Sequence, residues 1–108
     1  MRAANRSQEE GLRPAAPLHM STVNRTAVFI VDDSPIVRNR LVSTLSELPN
    51  VEVVGQAETA FEAINSIRKL QPAVVVLDIS MPGGSGMHVL ETIKKERPGL
   101  TVIMLTNF

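Results

Sequence analysis

No cysteine, tryptophan or tyrosine occurs in the 108 residues, and the aromatic content is three phenylalanines. Without thiols there is no disulfide and no thiolate metal site, a composition compatible with a reducing cytosol. With so few rings the core has to be aliphatic, built from Val, Ile, Leu and Met. An excess of charge is missing as well. The 11 basic and 11 acidic side chains cancel, which removes the electrostatic case for binding nucleic acid or an anionic membrane. Apolar runs such as AVFIV and AVVVL have the length of strands, far short of the about 20 residues that span a bilayer. The N-terminus has no continuous apolar stretch of the kind a secretory signal needs. What is present is a hydrophobic fraction of 44% in a chain of one-domain size.

Residues 1–25 are polar, hold two prolines and follow neither a helical nor a strand period, the pattern of a disordered leader. Met20 is a second candidate start, since patterned sequence begins just after it. From Thr26 two patterns alternate. AVFIV (27–31) is a continuous apolar run, expected of a strand covered on both faces. Ser34-Pro35 supplies an N-cap and an N1 proline. Val37, Leu41, Leu45 and Leu48 follow at helical spacing until Pro49-Asn50. VEVVGQA (51–57) is half polar and predicts a strand at a sheet edge. Thr59-Ala60-Phe61-Glu62 is a capping box, and Ala60, Ala63, Ile64, Ile67 and Leu70 form one apolar stripe that ends at Gln71-Pro72. AVVVL (73–77) predicts the most buried strand. Ser85 is the expected cap of a third helix, with Val89, Leu90 and Ile93 inward and Pro98-Gly99 as its stop. TVIML (101–105) is the fourth strand. The order βαβαβαβ with short connections predicts an α/β fold, a doubly wound parallel sheet with right-handed crossovers.

Ligands of such sheets sit at the carboxyl ends of the strands. Asp32 and Asp33 follow the first strand, Asp78 the third and Thr106 the fourth. In a 2-1-3-4 strand order the first and third strands are neighbours, about 4.8 Å apart, so their terminal carboxylates converge. Three carboxylates in one pocket repel, and such a site raises a pKa or recruits a cation. All-oxygen ligation with few protein ligands suits Mg²⁺. Of the two histidines, His19 falls in the leader and His88 inside the third helix, where it reads as a solvated residue.

Each of these residues also has a plainer reading. Asp32 and Asp33 serve as acids at a helix N-terminus, Asp78 as a turn-forming residue, and Thr106 as a β-former. Ser80 and Ser85 serve as turn and cap residues, and Gly83 and Gly84 suit positive φ in a turn. Convergence of the strand ends on one rim favours the functional reading over the separate plain ones.

FIVDDSP, VVVLDISMPGGSG and VIMLT, in these strand contexts, together resemble the receiver domain of two-component response regulators, from about Thr26 to Phe108. The resemblance implies a flavodoxin-like receiver fold. It implies that Asp78 is the phosphoacceptor, taking a phosphoryl group from a sensor histidine kinase or phosphotransfer protein. It implies Mg²⁺ held by Asp33 directly, by Asp32 mainly through water, by Asp78 and by the backbone carbonyl of Ser80, with Thr106 as the switch hydroxyl. A cytoplasmic signalling module rather than a turnover enzyme is the corresponding expectation. The family pattern continues to a fifth strand ending in a lysine that pairs with the phosphoryl group. Here the lysines are Lys69, Lys94 and Lys95, near the C-terminal ends of the second and third helices, and Asn107 stands where the family has a small residue. The expectation is therefore a receiver spanning 26–108 and truncated after its fourth strand. Two alternatives stay open. One is a pseudo-receiver that binds a partner without phosphorylation. The other is a metal-dependent phosphohydrolase with Asp78 as nucleophile, although Ser80 occupies the position where such enzymes place a second acid.

Overall fold

The computed structural model describes residues 25–106, so the leader expectation for residues 1–24 and the one for Asn107 lie outside the described residues. Every strand-length apolar run within them is a strand. The order is β1 (Thr26–Val31), α1 (Pro35–Ser46), β2 (Val51–Ala57), α2 (Ala60–Leu70), β3 (Val74–Asp78), a 3₁₀ turn (Pro82–Gly84), α3 (Ser85–Glu96) and β4 (Thr101–Leu105). All pairings are parallel, in the order β2-β1-β3-β4. The half-polar β2 lies at an edge, as its sequence predicts.

Successive side chains of a strand point to opposite faces, and both faces of β1 and β3 are used. Phe29, Val31, Val75 and Leu77 meet Ala63, Ile64 and Ile67 of α2 and Val89 and Ile93 of α3. Val28, Ile30 and Val76 lie on the other face beneath Leu41, Val42 and Leu45 of α1. A continuous apolar run is the sequence such two-sided burial requires. Because α1 covers its face alone, none of its residues is fully buried. No helix among the described residues is long and apolar enough to cross a membrane.

Four local expectations are corrected. Leu48 is not part of the first helix, which ends at Ser46, and it is 47% exposed; a residue before proline is pushed out of the helical region. Leu70 is half exposed at the last position of α2, where Gln71 turns left-handed (φ 51°) before Pro72. Ser85 is not the cap of α3 but its first residue. The cap position belongs to Gly84 at φ 72°, and the Ser85 hydroxyl donates instead to the Pro82 carbonyl at 2.7 Å. The Thr59–Glu62 box forms on one side only. Thr59 Oγ1 accepts from the Glu62 N–H at 3.2 Å, while the Glu62 carboxylate takes the N–H of Glu58 rather than that of Thr59. As expected, Gly83 and Gly84 carry positive φ.

Candidate functional site

Parallel strands end on one rim, and hydrogen bonds carry the ladders past the last strand residues. Val31 pairs with Leu77, which brings the following residues Asp32 and Asp78 side by side. The Asp32 N–H donates to the Ala57 carbonyl at 3.1 Å, and the Ile79 N–H donates to the Leu105 carbonyl at 3.1 Å. Asp78 itself pairs with Leu105, so Thr106 emerges beside it. A cleft of about 150 Å³ at this rim is lined by Asp32, Val37, Asp78, Leu105 and Thr106.

Carboxylate oxygens of Asp32, Asp33 and Asp78 lie within 4.8 Å of one another. Asp32 and Asp78 are 4% and 3% exposed, whereas Asp33 is open to solvent. Two bonds fix Asp78: its Oδ1 accepts from the Ser80 N–H at 2.8 Å and from the Ser80 hydroxyl at 2.6 Å. The carboxylate that opens the loop is therefore oriented by the loop itself, and Oδ2 is left for other partners. Asp32 Oδ1 accepts from the Ser34 N–H at 2.8 Å. Burial raises the Asp32 carboxyl above its ordinary value of 3.8; the Ser34 bond opposes this, the charges of Asp78 and Asp33 add to it, and Arg38 weakly offsets it.

The donor set fits Mg²⁺. Octahedral coordination at about 2.0–2.1 Å places ligand oxygens about 3–4 Å apart, so oxygens already within 4.8 Å of one another need only small side-chain movements. The Ser80 carbonyl is the ligand expected from the sequence. What the structure shows of Ser80 is its N–H and hydroxyl on Asp78. The lysines stand elsewhere. Lys94 Nζ donates to the Pro98 and Leu100 carbonyls at 2.7 and 2.9 Å, beside the start of β4, and Lys69 lies in the last turn of α2. Both positions are on the rim opposite Asp78. His88 is exposed on α3, as expected.

Two residues of the site escaped the sequence reading. Arg38 Nη1 donates to the Asp32 carbonyl at 2.7 Å. A cation in the first turn of a helix opposes the helix dipole, and that misfit was the available signal. Gly86 lies where a Cβ would come within 2.5 Å of the Asp78 carbonyl oxygen and 2.6 Å of Ile79 Cα. A poor helix former at the second position of α3 was the corresponding clue.

Residues 28–108 match the family model of the response regulator receiver domain. The chain belongs to this family. It is 47% identical over 79 residues to a protein-glutamate methylesterase/protein-glutamine glutaminase of Rhizobium etli, a match covering 73% of this chain and 22% of that protein. Among solved structures it resembles the response regulator domain of Thermotoga maritima CheB (36% identity, TM-score 0.69, covering 76% of this chain and 60% of that one). It also resembles the isolated receiver domain of Salmonella enterica RcsB with the phosphomimetic BeF₃⁻ (38%, TM-score 0.70, 77% and 62%). The chain spans 22% to 37% of the length of the curated relatives it matches. The enzymatic activities in the Rhizobium protein's name are those of a much longer chain.

Proposed function

We propose that Asp78 accepts a phosphoryl group from a phosphohistidine of a sensor histidine kinase or phosphotransfer protein, in the cytoplasm, with Mg²⁺ held by Asp32, Asp33, Asp78 and the Ser80 carbonyl. The observation that carries this reading is the convergence of three carboxylates at the sheet rim, with the central one fixed through Oδ1 by Ser80. Ser80 sets the plane of the carboxylate, leaving Oδ2 to attack. In the transfer, Asp78 Oδ2 forms a bond to phosphorus, the P–N bond to the donor imidazole breaks, and the electron pair leaves with that nitrogen. An aspartyl phosphate results. Such a reaction depends mainly on in-line positioning and on neutralising the phosphoryl oxygens. A bound Mg²⁺ supplies that neutralisation. Thr106, lining the same cleft, offers a hydroxyl to a phosphoryl oxygen, the role of a switch residue.

Incubation with acetyl phosphate and Mg²⁺, read by intact mass, tests the assignment. The unaltered chain should gain one phosphoryl group, and Asp78→Asn none. Equal labelling of the variant would place the acceptor elsewhere. Lack of labelling in both would favour a docking module that works without phosphorylation.

A further inference from the structure

The Arg38 side chain is 13% exposed, and its guanidinium is committed in three directions. Nη1 donates to the Asp32 carbonyl at 2.7 Å, Nε to Gln56 Oε1 at 3.0 Å, and Nη2 to Glu58 Oε1 at 3.3 Å. One planar fork thus joins α1 to the residue just past β1, to the end of β2, and to the turn that follows β2. Asp32 is consequently held along its whole backbone. Its N–H rests on the Ala57 carbonyl and its carbonyl on Arg38, while its carboxylate takes the Ser34 N–H. Asp33 lies between these fixed points.

We propose that Arg38 is a positioning residue for the acidic site. Through the Asp32 carbonyl, braced by Gln56 and Glu58, it holds the Asp32–Asp33 backbone in the turn that aims both carboxylates at Asp78, without itself meeting the ion or the phosphoryl group. The inference rests on reading that site as a Mg²⁺ centre. Outer partners that orient a metal's ligands change affinity by about 10–100-fold when removed.

The sign of the effect separates positioning from simple charge. As a charge, Arg38 repels a divalent cation, so its loss should tighten Mg²⁺ binding. As a clamp, its loss should weaken binding. Lysine keeps the charge but cannot reproduce the fork. The test is a Mg²⁺ titration of the 108-residue chain and of Arg38→Lys, Arg38→Gln and Gln56→Ala, followed by calorimetry and by the backbone amide signals of Asp32 to Ser34. Spectral dispersion establishes that each variant is folded. Both Arg38 variants are expected to bind Mg²⁺ about tenfold more weakly, and Gln56→Ala, which keeps the arginine and removes one brace, more weakly than the unaltered chain but less so. Unchanged affinity in Arg38→Lys together with tighter binding in Arg38→Gln would overturn the inference. So would unchanged affinity in Gln56→Ala if the Arg38 variants do not fold. If the unaltered chain takes up no Mg²⁺, the reading of the site fails first and the role of Arg38 falls with it.

Discussion

Asp32 is a carboxylate almost wholly withdrawn from water, with two further acids in reach. Its raised folded pKa, caused first by burial, means that the folded state binds its proton more tightly than the unfolded state does. The stability this group contributes is therefore fully present below its ordinary value of 3.8 and is lost as pH rises through the raised value. At neutral pH and without Mg²⁺ the native state carries a buried charge at a cost. Asp32→Asn keeps an oxygen for the Ser34 N–H and removes that charge. The variant should unfold at a higher temperature than the unaltered chain at pH 7, and the gain should shrink as pH falls toward the ordinary carboxylate range. With no Trp or Tyr as a fluorescent probe, helical circular dichroism is the suitable readout, and a pH-independent gain would contradict this account. Asp32, Asp33 and Asp78 were legible in the sequence because each is a charge at the end of an apolar run. Arg38 was not, because its partners are a main-chain carbonyl and side chains 18 and 20 positions away.

The packing of α3 against the end of β3 depends on the missing side chain of Gly86. An added Cβ would collide with backbone atoms of Asp78 and Ile79, which cannot rotate aside as a flexible side chain can. Overpacking of this kind costs about 1–3 kcal/mol, and each kcal/mol lowers the melting midpoint of a small domain by about 4–8 °C. Gly86→Ala should melt correspondingly earlier than Gly99→Ala, whose new methyl meets nothing within 4 Å; equal midpoints would remove Gly86 from the account. Element type and order were legible because length and the capping and stop residues separate the 11- and 12-residue helices, two of them clearly amphipathic, from short apolar strands. Element ends were less so. Ser85 carries a residue type favoured at caps, yet the preceding glycine turn takes the cap position, since a left-handed conformation costs glycine nothing.

The three layers are uneven: two helices cover one face of the sheet, one covers the other, and β4 is an edge among the described residues. Ile103 and Met104 are 49% and 53% exposed there. Neighbouring apolar side chains on an unpaired edge favour pairing with another chain. The 108-residue chain should accordingly gain weight-average mass with concentration in sedimentation experiments, and Ile103→Lys should suppress the gain. A mass that stays constant, or the same gain in the variant, would show that the edge is protected. Taken alone, the apolar run TVIML has the composition of an interior strand; its exposure follows from which strands surround it rather than from its own residues. The opposition of the two rims has an electrical consequence. Among the described residues, Asp32, Asp33 and Asp78 gather where the strands end, and Lys69, Lys94 and Lys95 lie in the last turns of α2 and α3, where the strands begin, so these six charges form a dipole along the strands. Within the screening length, about 10 Å at 0.1 M salt, a polyanion exerts a torque on it that turns the lysine rim forward and the carboxylate rim away.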